Sequence, residues 1–140
     1  MKNAIPIVLL LAVALGCVNN KSKASYSNKT AIVNDDVRIP PGEWRSWPFT
    51  VEKDSRINGS YSTQDGVDYE IVFYVTDPEN KESIENNETG RYEFRSIDFR
   101  TRKHFNTVLH NIEPGQYHLL FHNESTEKEH TVKIRMYLEN

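Results

Sequence analysis

Residues 69–75 have the sequence YEIVFYV, and their spacing decides the fold. The odd-numbered positions are all aromatic or aliphatic and would share one face of a β-strand, because successive side chains of a strand point to opposite faces. Val72 and Tyr74 would lie on the other face, which indicates burial on both sides. The stretch is therefore predicted to be a central strand of a sheet.

Shorter period-two patterns occur on both sides of this strand. One-sided apolar stripes occur at residues 117–121 and 132–138, and weaker strands are predicted at residues 44–51, 56–62, 92–99 and 105–109. Seven or eight short strands separated by turn signals favour an all-β fold, an antiparallel two-sheet β-sandwich of the jelly-roll-like kind. Residues 77–90 (DPENKESIENNETG) are acidic and show no apolar period, so they are predicted to form a long surface loop.

The first residues are typical of a secretory signal peptide. Lys2 is followed by an apolar run over residues 4–15, which as a helix would span about 18 Å, short of the roughly 30 Å hydrocarbon core of a bilayer. The sequence ALGC at residues 14–17 resembles a lipobox, and Cys17 is the single cysteine of the chain. We predict a signal peptide at residues 1–16 and lipidation of Cys17, which anchors the protein to a membrane.

The next segment is predicted to be a flexible tether. Residues 17–36 contain the lipidated cysteine and the polar stretch VNNKSKASYSNKTAIV, and the folded domain is expected at residues 37–140. Loss of Lys2 with the signal peptide reduces 17 basic residues to 16 against 20 acidic ones, so the net charge becomes −4. The protein is expected in the cell envelope on the extracytoplasmic side, and nucleic acid is not expected as a partner.

Residues 39–138 resemble the GOLD (Golgi dynamics) domain, and four motifs are responsible for the resemblance. They are PGE (41–43) with FTV (49–51), DYEIVFYV (68–75), DP (77–78) and PGQYHLLFHNES (114–125). The resemblance implies a β-sandwich that binds protein or lipid, in which Tyr117, Leu119 and Phe121 fill the core and Asn123 bonds backbone groups at a strand exit. It does not extend to vesicle transport, because the cargo receptors of that family carry a disulfide and this chain has one cysteine.

The sequence also resembles a second family of small β-sandwich domains. The strand, loop and Pro-Gly-x-Tyr pattern is also similar to the bacterial pre-peptidase C-terminal domain, a small sandwich attached to secreted enzymes. The chain is thus predicted to be a prokaryotic lipoprotein that acts as a binding module without catalysis. The alternatives are an accessory domain of a secreted enzyme system and a purely structural envelope lipoprotein.

Two groups of residues are candidates for recognition. Trp44 and Trp47 are three positions apart on a predicted strand, so one indole should enter the core and the other could stack against a sugar or a partner's side chain. Arg100, Arg102 and Lys103 form a basic run that could dock on an anionic lipid surface or a protein.

Catalytic, metal and cofactor sites are not predicted. The chain has no nucleophile elbow, zinc-protease motif or phosphate loop. His118 and His122 share a strand face but would lie about 13 Å apart, too far to bind one ion directly.

Overall fold

A computed structural model describes residues 28–67, 70–95 and 105–140. These ranges contain eight strands and one helix, α1 (Pro78–Glu85). The strands are β1 (Lys29–Ile39), β2 (Trp44–Val51), β3 (Ser55–Thr63), β4 (Ile71–Thr76), β5 (Phe94–Arg95), β6 (Phe105–Ile112), β7 (Gly115–Asn123) and β8 (His130–Glu139).

The strands form two antiparallel four-stranded sheets. Sheet A has the order β1-β8-β3-β6, and sheet B has the order β2-β7-β4-β5. Residues 71–75 belong to β4, which lies between β7 and β5 as a central strand and pairs Phe73 with Phe121. The predicted all-β, two-sheet architecture is confirmed.

The main core lies between the two sheets. Tyr61 from sheet A and Phe73 and Phe121 from sheet B are at most 2% exposed, and their ring centroids are 5.4–5.6 Å apart. Tyr61 also places its hydroxyl inside, where it donates a 3.0 Å hydrogen bond to the carbonyl of Ile71. The apolar stripe of β8 closes the core from sheet A, since Val132, Ile134, Met136 and Leu138 are all buried.

Asn123, at the end of β7, joins three segments of backbone. Its Nδ2 donates to the carbonyls of Ile39 (2.9 Å) and Lys128 (2.7 Å), and its Oδ1 accepts from the N–H of Ser125 (2.9 Å). The side chain is fully buried, so these bonds satisfy polar groups that water cannot reach. The prediction that Asn123 bonds backbone groups at the strand exit is confirmed.

The prediction that residues 77–90 form a loop is wrong, because α1 lies within them. The helix begins after Asp77, whose side chain accepts a 2.8 Å hydrogen bond from the N–H of Asn80, and Pro78 occupies the first turn. Only Ile84 of the helix is buried, so the segment has almost no apolar period. The N-cap at Asp77 and the burial of Ile84 stabilise this helix.

The predicted tether is also too long, because β1 begins at Lys29 and residues 29–36 belong to sheet A. β1 is an edge strand whose side chains are mostly exposed, with Val33 and Ile39 as its buried positions. A strand of that composition resembles a polar linker in sequence. The backbones of Asn28 and Asn140 exchange two hydrogen bonds of 2.9 and 3.0 Å, so the two ends of the domain lie side by side.

Candidate functional site

The two tryptophans of β2 lie on opposite sides of sheet B. Trp47 packs against the main core with its ring edge toward Phe121, 5.9 Å away between centroids. Trp44 lies on the outer side, where it stacks on His122 at 4.1 Å with an interplanar angle of 4°. Both indoles are partly buried. His122 covers one face of Trp44. A recognition role for either tryptophan stays a prediction.

The other predicted site residues lie outside the part of the chain that the structure describes. These are Cys17, Arg100, Arg102 and Lys103. Of the nearby basic residues, the described range includes Arg91 and Arg95, both exposed.

The outer face of sheet B carries a second apolar group, which we call the outer cluster. It consists of Val72, Tyr74, Ile84 and Leu120, with Trp44 packed against it. Val72 and Tyr74 come from the second face of β4, as the pattern at residues 69–75 predicted. α1 covers this group through Ile84, whereas the inner face is covered by a whole sheet.

The two histidines of β7 border the outer cluster. Burial lowers the pKa of His122, partly opposed by the charge of Glu124, and burial together with the charge of Lys81 lowers the pKa of His118. His118 Nδ1 also lies 3.0 Å from Ser46 Oγ. Both rings are therefore neutral near pH 7. The described residues include no group of His, Cys, Asp or Glu that could hold a metal ion.

The outer cluster continues to an exposed aromatic ring next to β5. Tyr92 is 49% exposed, the largest exposure of a big hydrophobic side chain in the described part of the chain. Its ring meets that of Tyr74 edge-on, with centroids 5.7 Å apart and an interplanar angle of 75°. The guanidinium of Arg95 lies 5.3 Å from the Tyr74 centroid and 3.8 Å from the carboxylate of Glu124. Burial raises the pKa of Tyr74, so its phenol stays protonated.

A cavity of about 190 Å³ opens between this aromatic pair and the end of α1. Its walls are Tyr74, Tyr92 and Ile84, and its rim includes Asn87, Glu88 and Arg95. Gly90 completes the lining, and a Cβ there would lie 2.7 Å from Cγ1 of Ile84, so only glycine allows this close approach. A second cavity, of about 520 Å³, is lined by Asp77, Gly90, Arg91, Tyr92 and Glu93.

Hydrogen bonds fix the segment that carries Tyr92. The N–H of Arg91 donates to Asn80 Oδ1 (2.9 Å), and its carbonyl accepts from the hydroxyl of Thr76 (2.6 Å). The N–H of Glu93 donates to the carbonyl of Val75 (2.7 Å). The backbone on both sides of Tyr92 is thus held by hydrogen bonds. Because this segment is already ordered, a ligand that binds the exposed ring loses little free energy to ordering it.

Another polar cluster lies at the start of β8. His130 is fully buried, its Nε2 contacts the carboxylate of Glu70, and its Nδ1 lies 3.3 Å from Asp65. Burial alone would raise the pKa of Asp65, but hydrogen bonds from Lys128 and from the Val67 N–H hold it well below its usual range. Because the two carboxylates face different ring nitrogens, they link loops to β8 rather than converge on one ion.

The family model for emp24/gp25L/p24 family/GOLD matches residues 37–140. The chain belongs to this family. The match covers the same residues that the sequence predicted for the GOLD-like domain and runs from within β1 to the end of β8. GOLD domains occur in membrane-associated or secretory-pathway contexts. No helix in the described residues has the length and hydrophobicity to cross a membrane.

The fold of this GOLD domain is also similar to a solved structure. This is the pre-peptidase C-terminal domain of collagenase from Bacillus anthracis, with a TM-score of 0.50, 13% identity and coverage of 78% of this chain and 85% of that chain. At this identity the similarity concerns the fold alone. No curated protein matches the sequence. The family supports a non-catalytic binding module.

Proposed function

We propose that this GOLD domain is an extracytoplasmic binding module, held at a membrane by lipid on Cys17, that binds a protein partner through the outer face of sheet B. The observation that supports a binding role at this face is the outer cluster, with Trp44 packed against it and the half-exposed ring of Tyr92 in contact with its Tyr74. Exposed aromatic rings on a rigid scaffold are typical of recognition surfaces.

The anchor is tested first. Fully extended, residues 17–28 would span at most about 40 Å, which would keep the domain near the bilayer. Mass spectrometry of the membrane fraction should find a chain that begins at a diacylated Cys17. A Cys17→Ser protein should leave the membrane fraction. An unmodified thiol on the mature chain would remove the anchor from the proposal.

The binding face is tested by site-specific photocrosslinking. A photoreactive residue in place of Tyr92 should capture a discrete partner, whereas the same residue in place of Tyr137, on the outer side of sheet A, should not. Equal capture at the two positions would mean that the outer face of sheet B has no special role.

The lipid-surface possibility rests on the basic run predicted from sequence. A variant with Arg100, Arg102 and Lys103 changed to Glu should bind anionic liposomes less than the parent if this run docks on lipid. If the variant loses liposome binding but keeps its Tyr92 crosslink, lipid and protein are bound at separate places.

The second candidate function is an accessory domain of a secreted enzyme system, and the similarity to the pre-peptidase C-terminal domain favours it. A gene for a secreted peptidase beside this one, and a crosslink from Tyr92 to that peptidase, would support the accessory role. A neighbouring transporter or envelope-assembly operon would favour the binding module.

A further inference from the structure

The 190 Å³ cavity beside Tyr92 has a size that restricts its ligand. Pockets for drug-sized molecules usually have about 300–1,000 Å³, so this one has room for a single ring or side chain. It is also open to solvent at Tyr92, whose ring is half exposed, and closed below by Ile84, which is 6% exposed. An acyl chain would need a longer enclosure.

Of the described residues that line the cavity, Tyr92 presents the accessible aromatic face and is 49% exposed. Tyr74 meets Tyr92 edge-to-face at 75°, but it is only 8% exposed, and the guanidinium of Arg95 lies 5.3 Å from its ring centroid. The axial C–H groups of a sugar ring are slightly positive and pack well on the electron-rich face of a phenol ring. Tyr92 thus offers the stacking surface that a pyranose requires, and Tyr74 supports it from below.

The rim of the cavity offers both hydrogen-bond donors and acceptors. Asn87 has both kinds of group, Glu88 accepts, and Arg95 donates. The charge of Arg95 is opposed by Glu124 at 3.8 Å. With the residues that the structure describes, the side chains of Asn87 and Glu88 form no hydrogen bond or ion pair. The mixed donors and acceptors of this rim suit hydroxyl groups, and its carboxylate, unpaired among the described residues, disfavours a phosphate.

The turn that carries the rim is already ordered. Asn87 has a φ of 57°, a left-handed conformation in which asparagine is better tolerated than most residues. The N–H groups of Asn87 and Glu88 donate to the carbonyls of Ile84 (3.1 Å) and Ser83 (2.8 Å). The rim groups are therefore held in place before any ligand arrives.

We propose that the cavity formed by Tyr74, Ile84, Asn87, Glu88, Tyr92 and Arg95 is a binding site for one neutral sugar ring. An aromatic side chain of a protein would fill the same volume, but it would desolvate the rim groups without offering them partners, which is costly. A sugar supplies hydroxyls to the rim and a C–H face to Tyr92. The inference adds a ligand class to the proposed binding face and does not depend on lipidation of Cys17.

The test uses the full-length protein and saturation-transfer NMR with glucose, galactose, mannose and N-acetylglucosamine as probes. At least one should bind with a millimolar Kd, and Tyr92→Ala should weaken it by about tenfold or more. Tyr92→Phe, which keeps the aromatic face, should bind like the parent. Tyr137→Ala on sheet A is the matched control and should change nothing.

Three results would overturn the proposal: no probe binds, binding survives Tyr92→Ala, or glucose 6-phosphate or glucosamine binds much more tightly than glucose. Phenylalanine-containing peptides that bind in a Tyr92-dependent manner while no sugar does would assign the cavity to a protein side chain instead. Competition by free oligosaccharide with the Tyr92 photocrosslink separates a glycan on the partner from a free polysaccharide. A persistent crosslink without any sugar binding would refute this inference and leave the proposed function intact.

Discussion

Sheet B has an apolar group on each face, and the two groups are covered in different ways. The inner group, the main core, comprises 15 buried residues among those described, and a complete second sheet closes it. The outer cluster has four, and an eight-residue helix closes it through Ile84. The inner face therefore determines whether the chain folds, whereas the outer face leaves aromatic surface free for a ligand at Tyr92.

The largest difference between the two faces is expected in global stability. Phe121→Ala should lower the free energy of unfolding by about 3–5 kcal/mol, since the ring is fully buried against Tyr61 and Phe73. Urea denaturation measures the loss. Gln116→Ala, at an exposed position of the same strand, is the control and should stay within about 0.5 kcal/mol of the parent. A Phe121→Ala protein as stable as its control would contradict the assigned facing of β7.

A smaller and local effect is expected at the outer cluster. Ile84→Ala should cost about 2 kcal/mol, the low end for such a truncation, because the short helix can settle over the space. Hydrogen exchange should speed up in α1 while the amides of β7 stay protected. Glu79→Ala, exposed in the first turn, provides the comparison. Faster exchange across both sheets would show that the two faces are not independent.

The response to pH should also differ between the two faces of sheet B. The pKa of His122 is lower in the folded protein than in the unfolded chain, so the unfolded chain binds the proton more readily. The contribution of His122 to stability is therefore complete above about pH 6.5 and declines as the pH falls below that value. Protonation should disturb the stacked indole of Trp44. In a Trp47→Phe variant, the fluorescence of Trp44 should therefore change on acidification from about pH 7 to pH 5.

The control for this titration is the reciprocal variant. Trp44→Phe leaves Trp47, which faces the core, and its fluorescence should change little over the same range. His122→Gln should remove the response of Trp44. Should the two single-tryptophan variants respond alike, the acid effect would belong to the whole fold and not to the outer face.

The smallest effect is expected on the surface of α1. Lys81→Gln removes an ion pair with Glu85 four residues on, whose Nζ to Oε1 distance is 2.9 Å. Partly exposed pairs of this kind contribute about 0.3–0.5 kcal/mol. The loss should disappear in high salt. A loss above about 1 kcal/mol would show that the pair supports the outer cluster beyond its local contact.

The sequence predicted the sandwich well because buried strands have a visible period. β8 alternates as expected over most of its length, and the double-sided pattern of β4 correctly indicated a second covered face. The polar elements were missed for the same reason. β1 buries two residues and α1 buries one, so their structure depends on edge pairing and capping instead of an apolar period.

The signal for α1 was nevertheless present. Asp77 followed by Pro78 and Glu79 combines an N-cap, a favoured first residue and an acidic first turn. The cavity beside Tyr92 had no such signal. It forms because β4, the end of α1 and residues 90–95 meet in space, and spacing along the chain does not reveal that Tyr74 and Tyr92 would touch.

The position of β1 has a mechanical consequence. Its pairs with β8 run from Lys29 and Glu139 to Ile39 and His130, so Asn28 lies at one end of sheet A. A pull applied to Asn28 along the strand axis would load the ladder in shear, so that all of its hydrogen bonds would resist together instead of opening one after another. An edge strand built in this way can bear tension between the proposed anchor on Cys17 and a partner bound by sheet B.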